Sequence, residues 1–430
     1  MNVKYQDPTL PVTPEADAIR QLIAEYCARH HRFKFDPANP RVRLHEPTIG
    51  AEEINAALDV LLSTKVTQGP KVAEFEERFA KMQGRPYGVA CNSGSSANLL
   101  LIASLRALGK LPQGGEVIVS ALSWSTTVWP LIQHGLVPVF VDCSADTLNM
   151  DRAALSRAIT PRTMAIMPVH VYGNPCDMDA LMDVATEHGL LVIEDCCEAM
   201  GAEYRGQPVG SFGIGASFSF YLSHHITTLE GGVAITGDAA LAEMMRVQRA
   251  HGWVRDVKDK GPYAEQFAEF DPRFLFVDLG YNLRMTDVQA AIGLVQLPKL
   301  AGYTTTRNMN NIAYRASLAK YPFFRFQETT PGGRSSCFDF AVLLHDAPFT
   351  VREICGYLAE RNIETRPIIC GNLVDHPAVA KYEHRVVGDL CQASNVRQNG
   401  FALGNHHFID AAAQKYVVGA IEDFIRGTGA

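Results

Sequence analysis

The chain has 430 residues, 47% hydrophobic and 20% charged, with a formal net charge of −7. That composition is globular and supplies a large core, which excludes a disordered or fibrous chain; the acidic balance, with no basic stripe, argues against nucleic acid as a partner. No apolar run approaches the ~20 residues of a membrane span, and the opening MNVKYQDPTLPVTPEADAIRQ lacks the basic, apolar and small-residue succession of a secretory signal.

Residues 14–31, PEADAIRQLIAEYCARHH, carry apolar residues at helical spacing and predict a helical arm within 1–44, closing in the Pro-rich joint FDPANPRVRLHEPTIG. From 45 to 300, helical stretches alternate with short β-rich runs. GAEEINAALDVLLS is a helix, and YGVACNSGSSANLLLIASLRAL is strand, turn and helix. EVIVSAL, VPVFVDC, TMAIMPVHVYG and LLVIEDC are further strands. This alternation predicts an α/β fold with a mainly parallel sheet, which binds ligands at the carboxyl ends of its strands. GYNLRMTDVQAAIGLVQLPKL starts a long helical stretch that leads out of this large domain. Residues 301–430 mix a strand (FDFAVLLH) with helices (FTVREICGYLAERN) and predict a smaller α/β domain. The ten cysteines are scattered without a C-x-x-C pair, which predicts reduced thiols and a cytoplasmic protein.

Three constellations fall at predicted strand ends. Asn92-Ser93-Gly94-Ser95-Ser96-Ala97-Asn98 is a small-residue turn at a helix start. It suits a phosphate cradle, and equally a helix cap with a tight turn. Glu194-Asp195 closes an apolar strand. Such a pair holds a metal, binds a ribose hydroxyl, protonates a ring nitrogen, or merely caps the next turn. Ser217–Gly232, SFSFYLSHHITTLEGG, carries adjacent histidines with no carboxylate or cysteine partner at a familiar metal-ligand spacing.

In this order, and joined by EVIVSALSWSTT, VPVFVDCSADTLNMD, MPVHVYGNPCDMDAL, IEDCCEAMGAEYRGQPVGSFG and GYNLRMTDVQAAIGLVQL, these motifs resemble the DegT/DnrJ/EryC1/StrS family of sugar aminotransferases dependent on pyridoxal phosphate (PLP). The resemblance runs from about residue 45 to near the C-terminus. It implies the fold-type-I aminotransferase architecture and a homodimer whose active sites draw on both subunits. It places Gly94, Ser95, Ser96 and Ser219 at the cofactor phosphate, Asp195 at the pyridinium nitrogen and Trp124 against the ring. Glu198 falls where a glutamine usually approaches the ring hydroxyl, and Asn282 where the partner subunit donates an asparagine to the phosphate.

The family's Schiff-base lysine falls on His224, and no lysine occurs between residues 111 and 257. An imidazole cannot form that imine, though it can still move protons. Histidine here resembles a subgroup, the nucleotide-sugar 3-dehydratases of 3,6-dideoxysugar biosynthesis. HHITTLEGG, EDCCEAMG, RPIICGNLVDHPAVAKYEHRVVGDL, ALGNHHFID and Glu198 are similar to that subgroup too. The resemblance implies a pyridoxamine phosphate (PMP) cofactor, proton transfer by His224 and loss of the sugar's C3 hydroxyl as water.

Within the subgroup, a [2Fe–2S] cluster is not expected: after the W-x-R-D-like element Trp253–Asp256 no cysteine occurs before Cys337. The resemblance then implies the type that regenerates PMP with L-glutamate, with GDP-4-keto-6-deoxy-D-mannose as substrate. Arg255 is a candidate for the sugar diphosphate, and Arg366 and Asn372 for substrate or the glutamate carboxylate. His225, His406 and His407 are candidates to support the site. Competing readings are an externally reduced 3-dehydratase on a CDP- or dTDP-sugar, an aminotransferase-like enzyme, a catalytically silent PLP-binding homologue, and a His-rich metal protein.

Overall fold

The computed structural model describes residues 13–31, 33–271 and 273–429; residues 1–12 of the expected arm lie outside the described residues. The first five helices are α1 (Pro14–His30), α2 (Ala51–Ser63), α3 (Pro70–Met82), α4 (Gly94–Ala107) and α5 (Ser125–Gln133). α1 begins as its sequence dictates, with Thr13 Oγ1 accepting from the Ala16 amide and Pro14 in the first turn. It packs on α2 by a narrow face around Cys27 and through the Arg20–Asp59 ion pair.

The strands of the first part are β1 (Tyr87–Cys91), β2 (Glu116–Ser120), β3 (Val137–Val141), β4 (Thr163–Met167), β5 (Leu191–Asp195), β6 (Glu203–Tyr204), β7 (Gln207–Pro208), β8 (Gly215–Ser219) and β9 (Gly232–Thr236). Those that follow are β10 (Phe324–Phe326), β11 (Gly333–Arg334), β12 (Phe340–Leu344), β13 (Thr365–Arg366), β14 (Arg385–Val386) and β15 (Gly400–Leu403). An eight-stranded sheet has the order β1-β9-β8-β5-β4-β2-β3-β14. Only β9 runs against its neighbours, so the large sheet is mainly parallel, as its sequence predicts. Every position of β2, β3, β8 and β9 is buried, because helices cover both faces; this is why these strands read as unbroken apolar runs.

A second, antiparallel sheet has the order β10-β12-β15-β13 and its own core around Tyr314, Phe340, Phe401 and Val417. Val42, from the Pro-rich joint, is buried in that core and bridges Ile363. Two strands from beyond residue 300 pair with strands before it: β14 extends the large sheet at β3, and β11 pairs with β6.

Candidate active site

β1 and β8 are both antiparallel to β9, and β8 is parallel to β5, so the carboxyl ends of all three share one edge. A cleft opens there, lined by Gly94 and Ser95 after β1, by Asp195 at the end of β5 with Glu198 beyond it, and by Ser219 at the end of β8 with His224 beyond it. Trp124, Phe338 and Arg366 complete its wall.

Ser93 caps α4 by accepting from the Ser96 amide at 3.1 Å. The next residue has to be glycine: a Cβ on Gly94 would lie 2.5 Å from Ser219 Cβ and 3.0 Å from Cys197 Sγ. This close approach brings the α4 N-terminus, with its positive dipole end, against the Ser219 hydroxyl. Ser95 Oγ lies at the same edge, 3.0 Å from Thr126 Oγ1. Ser96 is turned elsewhere: its Oγ donates to Asn92 Oδ1 at 2.6 Å, inside the helix cap, and it does not line the cleft.

Asp195 is 4% exposed and held by three donors. Asn98 Nδ2 (2.9 Å) and Thr127 Oγ1 (2.7 Å) donate to Oδ2, and the Cys197 amide (3.1 Å) to Oδ1. Its neighbour Glu194 points to the other side of the sheet. It accepts from the Gly210, Phe212 and Gly213 amides and from His170 Nε2. Glu194, His170 and Cys196 lie close enough together to suggest a metal site, yet Glu194 already accepts four hydrogen bonds, and it serves as the anchor of the loop 210–213.

The His224 ring lies 2.6 Å, through Nδ1, from the carbonyl of Cys197. A carbonyl only accepts, so Nδ1 carries the proton and Nε2 offers its lone pair. Burial pushes this imidazole down to about 4, against the Cys197 hydrogen bond, which favours the charged ring. Burial acts oppositely on Glu198 and pushes its carboxyl up to about 7, against the nearby Arg366 and the hydrogen bond from the Tyr172 amide.

Several residues singled out in the sequence lie outside this cleft. His225 is fully buried and its Nε2 donates to the Ser336 carbonyl at 3.2 Å. Asn372 is a cap: its Oδ1 accepts from the Val374 amide and its Nδ2 donates to Ser394 Oγ. His406 is buried beside Phe33 and Phe408, and His407 stacks on Tyr303 at 3.7 Å. Asn282 and Arg255 line a second depression on the same chain, where the Arg255 guanidinium sits 5.1 Å over the Trp253 ring.

Conversely, the fold brings in residues the sequence did not flag. Tyr172 has a left-handed backbone (φ 53, ψ 33) and is fully buried. Its amide donates to Glu198 Oε2 (3.2 Å), and its Oη accepts from Arg366 Nε and Nη2 (both 3.3 Å). Asp339 pairs with Arg366 Nε at 3.1 Å. Asn98 closes the quoted turn motif, but nothing in its spacing announced that it reaches Asp195.

The family model described as the DegT/DnrJ/EryC1/StrS aminotransferase family matches residues 47–422. The chain is 38% identical over 377 residues to a GDP-4-keto-6-deoxy-D-mannose 3-dehydratase of Yersinia pseudotuberculosis, covering 86% of this chain and 95% of that one. It is 34% identical over 433 residues to a dTDP-4-dehydro-2,6-dideoxy-D-glucose 3-dehydratase of Saccharopolyspora spinosa, covering 96% and 93%. A solved structure of GDP-4-keto-6-deoxymannose-3-dehydratase with a trapped PLP-glutamate geminal diamine superimposes with a TM-score of 0.81 at 34% identity, over 89% of this chain and 100% of that one. With a family match across most of its length, a fold shared with these proteins and a cleft at the expected strand ends, the chain belongs to the DegT/DnrJ/EryC1/StrS aminotransferase family.

Proposed function

We propose that this chain is a PLP/PMP-dependent nucleotide-sugar 3-dehydratase that removes the C3 hydroxyl of GDP-4-keto-6-deoxy-D-mannose, with L-glutamate regenerating the amine form. The observation that carries the reading is His224: where the family has lysine, an imidazole with Nδ1 locked on Cys197 presents an unprotonated Nε2 to the cleft. No lysine lines that cleft among the described residues. The activity named for the Yersinia relative and the glutamate trapped with PLP in the solved structure support the same substrate and amino donor.

The residues fit the cofactor. The close contact of Gly94 with Ser219, at the start of α4, makes a cradle for a phosphate, completed by Ser95. The three-fold-held Asp195 is a fixed carboxylate for a ring nitrogen, and Trp124 flanks the space between. When bound, the cofactor supplies an amine and an electron-withdrawing ring. Asp195 keeps a proton on the ring nitrogen, which sustains that withdrawal. His224 Nε2 takes and returns the proton at carbon, and its neutral state at physiological pH suits it as a base. Phe338, whose ring lies 5.2 Å from that of His224, and Ile369 give the cleft an apolar lining beside this exchange.

The chain acts in this reading as a homodimer in the cytoplasm. Asn282 and Arg255 sit in a depression away from their own chain's cleft, as residues reaching a partner's site would. Beside them Phe274, Phe276 and Leu279 are 66%, 56% and 88% exposed, an apolar surface that a second copy would cover. All ten cysteines are free, which suits a reducing compartment. No helix among the described residues is long and apolar enough to cross a membrane.

The test uses purified protein with PLP, L-glutamate and a panel of nucleotide 4-keto-6-deoxyhexoses, without a reductase. The expected result is conversion of the PLP absorbance to that of PMP, 2-oxoglutarate, and one sugar lacking its C3 oxygen. A sugar that instead gains an amine would make the chain an aminotransferase. A stoichiometric bound metal with no yellow cofactor would overturn the reading altogether.

A further inference from the structure

Glu198 and Asp339 compete for one guanidinium, and the geometry settles which wins. Arg366 Nε is 3.1 Å from Asp339 Oδ2, whereas Arg366 Nη2 is 3.8 Å from Glu198 Oε1. Tyr172 fixes the guanidinium in this position: its Oη accepts from both Arg366 nitrogens, accepts from the Ile369 amide and donates to the Pro367 carbonyl. The same residue's left-handed backbone aims its amide at Glu198 Oε2, which leaves Oε1 as the oxygen able to carry a proton into the cleft. A half-buried guanidinium between the buried Asp339 and the partly buried Glu198 serves one ion pair at low cost, and the second carboxyl is then favoured in its neutral form.

We propose that Asp339 is a positioning residue which, by taking the charge of Arg366, keeps Glu198 protonated as a hydrogen-bond donor to the group bound in the cleft. Burial raises both carboxyls, but Asp339 has the shorter ion pair and is the one that stays charged. The other ionisable groups facing Glu198 push in the same direction or stay neutral. Asp195, at the end of β5, disfavours a second negative charge, and the Cys370 thiol and the Tyr172 phenol are raised by burial. Across the cleft, His224 is kept neutral by its own burial, so it offers Glu198 no counter-charge.

The inference rests on the cofactor reading only for what Glu198 donates to; its protonation can be read directly. The experiment is an infrared pH titration of the PLP-loaded enzyme, with the Glu198 carboxylic C=O band identified by its loss in E198Q. The band is expected at pH 6, disappearing with a midpoint near 7. In D339N the free guanidinium turns to Glu198, and the midpoint falls by about one pH unit or more, a tenfold change in proton affinity. D339N/R366Q should restore the band, and R366Q alone should move the midpoint upward, which keeps the test decisive if D339N does not fold. Absence of the band at pH 6 in the unaltered enzyme, or a midpoint indifferent to D339N, overturns the proposal. Repeating the titration on cofactor-free protein separates the two readings: a Glu198 band that responds as stated in a protein that dehydrates no sugar would refute the function and leave this inference standing.

Discussion

If His224 Nε2 is the base, the reaction should tolerate acid far better than an ordinary histidine permits. The perturbation is pH alone, lowered from 8 to 5 on PLP-loaded enzyme with saturating L-glutamate. Burial holds the His224 imidazole at about 4, with Nδ1 on Cys197. At pH 5 such a base is still ~90% neutral, whereas a histidine titrating at about 6.5 would be only ~3% neutral, a contrast of roughly thirty-fold. The assay is the single-turnover rate of 2-oxoglutarate formation, followed by the cofactor absorbance so that dead enzyme is not counted. The rate should hold nearly constant from pH 6.5 down to 5. An acid limb centred near 6.5 would refute the reasoning, because it would mean that the proton is taken by a solvated group or that the ring is not buried while it works. Should the protonated Glu198 also be required, an alkaline limb appears near 7, and the two limbs then belong to the coupled pair.

Gly94→Ala inserts a Cβ 2.5 Å from Ser219 Cβ. Overpacking of about 1–3 kcal/mol should appear as a lower thermal midpoint together with a weaker PLP titration, and a normal PLP affinity would dissociate the turn from the phosphate. If sites are shared, inactive N282D and inactive H224N chains, dissociated and mixed, form hybrid dimers with one intact site. About a quarter of wild-type activity should return, and none if each chain serves itself. His225 and His406 are 0% and 4% exposed, and burial holds both neutral in the folded chain. Unfolded, each takes a proton near pH 6.5, so stability is full above that pH and declines as pH falls, by about 3 kcal/mol per unit for the two together near pH 5. Urea midpoints between pH 7.5 and 5 check this, and His406→Asn should lower the slope by one proton's worth, about 1.4 kcal/mol per pH unit.

What was legible in the sequence follows from where each residue sits. Gly94, Asp195 and Ser219 stand at the ends of apolar runs, and a parallel sheet gathers such ends on one edge, so order along the chain was enough to assemble them. The left-handed Tyr172, Asp339 and Arg366 meet only because β13 and the segment before β12 fold over the 171–173 turn, and no local pattern ties them together. Ser96 and Asn372 misled for a common reason: serine and asparagine bind ligands with the same groups that they use to cap backbone, and in both the cap took the hydrogen bond. The crossing of β14 into the large sheet was equally hidden, since two residues carry no periodicity.

That crossing has a consequence for how the protein is made. β3 is complete at Val141, but its outer edge stays unpaired until Arg385 and Val386 arrive, about 240 residues later on the ribosome. Until then a fully apolar strand presents open amides and carbonyls, the kind of edge that recruits other nascent chains. Arg385 also donates to Glu116, a buried carboxylate that Arg162 alone must neutralise in the meantime. Truncations ending before residue 385 should therefore associate through β3 during synthesis, and a chaperone that shields this edge would be needed most over that interval of translation.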